Sequence, residues 1–233
     1  MKIITLFIFV SISLFSCERN TINNDVEKLD KISKKENGTK TKDQSENEGE
    51  FKAGDLIFQI TENGQSHAIQ FLTNSKYSHV GIILKTKKGL FVYEASNKVR
   101  FTPLDKFIKS GVDGHFSIKR LKNANQILTE EALLNMKKIG EKFYRKTYDL
   151  CFEWSDDKIY CSELVWKIYN EALNIEIGTP KTLSDYDLSY GPAQKIIKKR
   201  MARNGCSFSD NEIVISPADI FHSELLKTID IDQ

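Results

Sequence analysis

The feature that most limits what this chain can fold into is a change of character at Phe51. Residues 18–50 contain no aromatic side chain and only four aliphatic ones, Ile22, Val26, Leu29 and Ile32, among seven basic and nine acidic residues. Such a segment cannot bury enough apolar surface to offset the entropy lost on ordering. It is expected to be a disordered polar tether, with at most a transient helical turn near 26–32. One core therefore has to be built from residues 51–233, a length that suits a single sizeable domain and not two. The net charge of +2, from 34 basic and 32 acidic residues, leaves no nucleic-acid footprint. Four cysteines are too few for a disulfide scaffold.

Ahead of the tether, MKIITLFIFVSISLFSC opens with Lys2, runs largely apolar from Ile3 to Phe15, and ends on the small residues Ser16 and Cys17. The run is too short for a permanent membrane span and has the shape of a secretory signal. Leu14-Phe15-Ser16-Cys17 resembles a bacterial lipobox, in which cleavage leaves the cysteine as a new N-terminus bearing a diacylglyceryl group. On that reading residues 1–17 are a lipoprotein signal peptide, Cys17 is lipidated, and the product is exported and anchored in the bacterial envelope. Ordinary signal cleavage beside an incidental cysteine is the alternative. Each buried methylene of an acyl chain adds about 0.8 kcal/mol of membrane affinity, so several chains anchor stably.

Within 51–233, strand patterns come first. Leu56–Ile60 reads as a buried strand entered through Gly54-Asp55. Ser78–Leu84 and Leu90–Ala95 are two stronger strands joined by Lys85–Gly89, which suits a hairpin. Val99–Thr102 and His115–Leu121 are further strands, separated by a short helix from Pro103, and Ala68–Leu72 is a short helix. Helices follow. Thr129 is an N-cap candidate for a helix with Leu133, Met136, Ile139, Gly140 and Phe143 on one face. A second helix runs from Cys161 to Leu173, with Leu164, Val165, Ile168, Tyr169 and Ala172 inward. Pro192–Arg203 and Pro217–Leu226 read as helices around a short strand, Ile213–Ile215. Strands early and helices late predict an α+β fold rather than alternating βαβ units.

Two residues stand out for chemistry. Strand alternation puts Val80, Ile82 and Leu84 on one face and Tyr77, His79 and Gly81 on the other, and Gly81 leaves room beside the imidazole for another group. Cys161 falls in the first turn of an amphipathic helix, where unpaired N–H groups and the helix dipole lower a thiol pKa. A nearby imidazole would lower it further and create a thiolate nucleophile. On spacing alone a packed thiol and a packed histidine are the commoner outcome.

The segments GDLIFQ (54–59), SHVGIIL (78–84), VYEA (92–95), TPL (102–104), YD (148–149) and YCSELVW (160–166) resemble the permuted papain-like hydrolases of the YiiX/YebB type, relatives of the NlpC-type cell-wall peptidases. The resemblance covers residues 51–226. It implies a circularly permuted papain-like fold, a small antiparallel β-barrel or sheet packed against helices. The permutation explains why His79 precedes Cys161 here. By position, Cys161 matches the nucleophile, His79 the general base and Glu94 the acidic residue that supports it. Pairing 79 with 94 across the hairpin places the last two on one face, whereas a bulge at Gly89 would place Glu94 beside Val80.

The resemblance implies acyl transfer to a thiolate, with no cofactor. The substrate is then an amide in a cell-wall peptide or a related peptide; a lipid acyl substrate and a non-catalytic wall-binding lipoprotein are the alternatives. Tyr160 is a candidate for oxyanion or substrate contact. His67, His115 and His222 have no metal-ligand spacing, so no metal is assigned. Asp55 reads as a turn residue. Lys195, Lys198, Lys199, Arg200 and Arg203 form a basic helix face of the kind usually solvated. Cys151 and Cys206 are either a disulfide or two buried thiols.

Overall fold

Short apolar runs form the β-strands β1 (Leu56–Gln59), β2 (His79–Thr86), β3 (Gly89–Ala95), β4 (Val99–Pro103) and β5 (Phe116–Leu121), with β6 (Lys181–Thr182), β7 (Ile213–Val214) and β8 (Leu226–Ile229) later in the chain. The helices are α1 (Gly64–Thr73), α2 (Leu104–Ser110), α3 (Ala124–Ile127), α4 (Glu130–Glu141), α5 (Cys161–Leu173), α6 (Gly191–Arg203) and α7 (Pro217–Phe221). This is a computed structural model, and it describes residues 50–62, 64–186, 191–207 and 209–231. The signal segment with Cys17, and the tether up to residue 49, lie outside the described residues.

Six strands form one sheet in the order β4-β3-β2-β1-β5-β8, and β6 and β7 form a separate pair. The pairs β1–β2, β1–β5, β3–β4 and β5–β8 are antiparallel. On one face Leu56, Phe58, Val80, Ile82 and Leu84 pack against Leu164, Val165, Ile168 and Tyr169 of α5. On the other, Ile57, Ile83, Val92 and Ile118 pack against Phe107 of α2. Both faces are covered, which is why the central strands read as near-continuous apolar runs. Thr129 caps α4 by accepting from the Ala132 amide at 3.2 Å, and α4 packs along α5.

The last helix is shorter than its sequence pattern predicts. It begins at Pro217 behind the Ser216 cap but ends at Phe221, and Leu226 opens β8 instead of closing a helix. The free edge of β5 accounts for the difference. Its unpaired backbone groups need partners, and Leu226–Ile229 supply them, with Leu226 opposite Leu121 and Ile229 opposite Ile118.

Two cross-links steady the frame. Asp55 is fully buried and takes Arg120 in a two-pronged ion pair, Nε to Oδ1 at 2.6 Å and Nη2 to Oδ2 at 2.8 Å, while also accepting the Lys52 amide at 2.7 Å. It is structural, as its place in the turn implies. Cys151 and Cys206, left open between two states by the sequence, form a disulfide across 55 residues. Closing a loop of that length restricts the unfolded chain by about 4 kcal/mol in the chain-entropy picture. The bond ties the loop after Asp149 to the end of α6, whose Ile197 and Met201 pack on Ala68 of α1.

Candidate active site

Cys161 is the first residue of α5, with Tyr160 as the extended residue before it. The sulfur therefore sits among the unpaired N–H groups of a thirteen-residue helix, at the positive end of its dipole. His79 opens β2, and its ring lies within hydrogen-bonding reach of the thiol, toward which the Val80 amide also donates. The other side of the ring is held by β3: His79 Nε2 lies 2.7 Å from Glu94 Oε2. Nδ1 is thus left for the sulfur. Cys161, Glu94 and His79 are 2%, 3% and 9% exposed, so the three form one buried chain.

Each member of this chain is supported. A Cβ on Gly81 would stand 2.4 Å from Val92 Cγ1 and 3.4 Å from Glu94 Cβ, so only glycine lets β3 come this close beside the histidine. Phe107 stacks on the imidazole at 5.6 Å between ring centres. Glu94 Oε1 accepts from the Thr102 hydroxyl at 2.5 Å and from Arg100 Nε at 3.2 Å, both on β4, where Arg100 is paired with Glu94. Sequence reasoning left Thr102 and Arg100 without a role; the TPL segment and the second hairpin were the available signal.

These contacts set the protonation states. Burial alone would push the Cys161 thiol up, but the His79 charge and hydrogen bond, the Val80 amide and the Tyr148 hydroxyl hold it below the ordinary thiol value. Burial likewise disfavours the imidazolium, yet the Cys161 thiolate and then Glu94 raise His79 well above the usual histidine range. For Glu94 burial is opposed by His79, Thr102 and Arg100, and its carboxyl is drawn down to about 2. The arrangement favours a thiolate–imidazolium pair backed by a carboxylate.

A tyrosine hydroxyl that reaches the sulfur belongs to a residue to which sequence reasoning gave no role. Tyr148 Oη lies 4.0 Å from Cys161 Sγ. It is placed by the bridge to Ile159 and by Asp149, which accepts the Cys151 and Glu153 amides at 2.7 and 2.6 Å and so folds the following loop. The YD dipeptide at 148–149 was the signal. Tyr160 is turned elsewhere: its hydroxyl accepts the Ile215 amide at 3.1 Å, while its ring lines a cavity beside the sulfur.

A thiol at a helix start, facing a strand histidine that is backed by a carboxylate, defines a papain-like arrangement, with histidine before cysteine as a permuted chain requires. Residues 50–230 match the family described as permuted papain-like amidase enzyme, YaeF/YiiX, C92, and the chain belongs to that family. It is similar to the uncharacterized protein YiiX of Escherichia coli strain K12, at 36% identity over 176 residues, covering 76% of this chain and 84% of the relative. It is also similar to a crystal structure titled metalloprotein YiiX, from Escherichia coli O157:H7. There the TM-score is 0.71 and the identity 36%, covering 77% of this chain and 97% of that one.

The residues here do not fit a metal centre at this place. Glu94 is already engaged with His79 Nε2, the Thr102 hydroxyl and Arg100, so its oxygens are not free to join the thiol and the ring around a metal ion. Among the described residues no group of three or more His, Cys, Asp or Glu side chains could hold a metal ion.

Proposed function

We propose that this protein is a cysteine amidase in which Cys161, His79 and Glu94 act together. The Cys161 thiolate bonds to the carbonyl carbon of an amide, and His79 gives its proton to the nitrogen as the C–N bond breaks. Water then attacks the thioester while His79 takes its proton, releasing the acid and the free thiolate. Glu94 holds the ring orientation and stabilises the imidazolium. We assign the oxyanion to the Cys161 amide at the helix start and to the Tyr148 hydroxyl, which lies 4.0 Å from the sulfur. The observation that carries this reading is the 2.7 Å hydrogen bond between His79 Nε2 and Glu94 Oε2, which leaves Nδ1 for the thiol.

The test is mass spectrometry of the full-length protein incubated with amide substrates. An acyl adduct on Cys161 that is absent in Cys161→Ala supports the reading; turnover that survives Cys161→Ala overturns it. We further propose that the enzyme is exported and lipid-anchored through Cys17. Cys17→Ser should then move the protein from the membrane fraction to a soluble or unprocessed form, and an unchanged membrane fraction would refute the anchor.

A further inference from the structure

Helices α1 and α6 pack against each other through their inner sides, with Ala68 and Leu72 on one and Ile197 and Met201 on the other. At roughly 100° between successive residues, the opposite side of α6 carries Lys195, Ile196, Lys199 and Arg203. All four are exposed. On α1 the same spacing turns His67 and Phe71 outward, both exposed, and Lys76 is exposed just past the helix end. Phe71 and Ile196 are 47% and 39% exposed and line one open groove, together with His67, Lys76 and Pro192. Neither helix contains an aspartate or a glutamate, although the chain holds 32, so every charge the two helices carry is basic.

Solvation alone accounts for the lysines of this face but not for the large apolar pair beside them. We propose that the α1–α6 face docks onto an anionic phospholipid bilayer. Lys76, Lys195, Lys199 and Arg203 meet the headgroup phosphates, while Phe71 and Ile196 enter the boundary between headgroups and acyl chains. Charge complementarity and the apolar pair choose this occupant together. A basic face that also presents large apolar side chains gains from anionic headgroups and from apolar burial at once. An anionic wall polymer would answer the charge and leave Phe71 and Ile196 in water. Neither the amidase chemistry nor Cys17 is required. An anchor would bring the domain near a bilayer, but the face decides which side of the domain turns toward it.

The test uses tryptophan probes in the full-length protein mixed with vesicles, with the wild-type signal from Trp154 and Trp166 subtracted. Ile196→Trp should give blue-shifted emission with phosphatidylglycerol vesicles, and strong quenching when their acyl chains are brominated. Leu134→Trp, at an exposed position of α4, should give neither. Phosphatidylcholine vesicles should leave the Ile196→Trp emission unshifted, as should about 1 M salt, where screening acts beyond roughly 3 Å. Lys195→Gln, Lys199→Gln and Arg203→Gln combined should remove the shift as well. Each basic charge near an anionic surface is worth about fivefold in binding, so the three together amount to a loss on the order of a hundredfold. Alkylation of Cys161 at the wild-type rate shows that the triple variant is folded. Equal quenching of Ile196→Trp and Leu134→Trp, or none of either, would overturn the docking face. So would quenching of Ile196→Trp that persists in phosphatidylcholine or in the triple variant. A shift produced by purified anionic wall polymer and not by vesicles would also overturn it, and would assign the face to that polymer.

Discussion

Two buried carboxylates lie near the start of α5. Glu94 is reached across the sheet through His79, and Glu163 stands two residues along the helix from Cys161. Both are shut away from solvent, yet they hold their protons in opposite ways. Glu94 is drawn down to about 2, burial being outweighed by His79, Thr102 and Arg100. Glu163 is pushed up to about 7 by burial and by the charge of Asp149, against the pull of Lys167 and the Tyr160 amide. The Tyr160 amide is 3.4 Å from Oε2, and the Lys167 ammonium sits 2.8 Å from Oε1 as a charge contact rather than an aligned hydrogen bond. Lys167 is also shared, bonding Asp156 at 2.8 Å and the Ser155 carbonyl at 2.7 Å. Burial is common to both, so the number and exclusivity of donors decide which carboxylate keeps its charge.

The consequence for stability has opposite signs. Glu94 has a folded pKa below its ordinary 4.5, so its contribution is present above about pH 4.5 and fades as pH falls toward 2. Glu163 has a folded pKa above 4.5. Its contribution is full below about pH 4.5 and is lost as pH rises toward 7.

The largest expected effect separates chemistry from support. Cys161→Ala should remove covalent labelling and turnover entirely while the protein stays folded, and the His79 proton, no longer facing a thiolate, should titrate at lower pH by NMR. A His79 titration unchanged in that variant would show that the thiolate is not what raises it.

Next comes Glu94→Gln. Loss of the carboxylate should cost roughly 10²–10⁴ in turnover, about 3–5 kcal/mol of transition-state stabilisation. The pH at which Cys161 becomes alkylatable should rise, because the imidazolium loses its support. A normal rate with an unshifted alkylation profile would remove Glu94 from the site.

Glu163→Gln tests the other half of the comparison. It should flatten the decline of stability between about pH 4.5 and 7, a change on the order of 3 kcal/mol, read from urea midpoints across that range. The wild-type slope persisting in the variant would place the titration elsewhere. The smallest effect belongs to Asp156→Asn. Asp156 is largely exposed, so global stability should change by less than about 1 kcal/mol. With Lys167 no longer shared, the Glu163 transition should move to lower pH, and a transition that stays put would show that sharing of the ammonium is not what limits it.

Much of this site was legible in the residues. The strands around His79 and Glu94 and the helix opening at Cys161 follow from apolar periodicity, and α5 begins and ends at the predicted residues. A hairpin between two strong strands brought residues 79 and 94 together on paper, and their side chains meet in the fold. These are local rules: the period of a strand, the period of a helix, and a short turn between neighbours. Tyr148 was harder to read, because it sits in an irregular segment held by the Ile159 bridge and the Asp149 turn, neither of which has a period.

What only the tertiary structure decided are the long-range contacts. The end of the chain is strand β8 rather than helix because β5, a hundred residues earlier in the sequence, offers an open edge. Tyr160 turns to Ile215 rather than to the sulfur because the Ile215 amide needs a buried acceptor. The apolar cavity beside Cys161 is assembled from separate segments spread between residues 69 and 217, which only the fold brings together. Sequence alone determined the strands and helix that carry His79, Glu94 and Cys161 and which residue types stand ready for acyl transfer, since short-range sterics and burial patterns act within a few residues. The partners of each buried polar group, and with them the charges and the shape of the space beside Cys161, depend on contacts that exist only once the chain has closed.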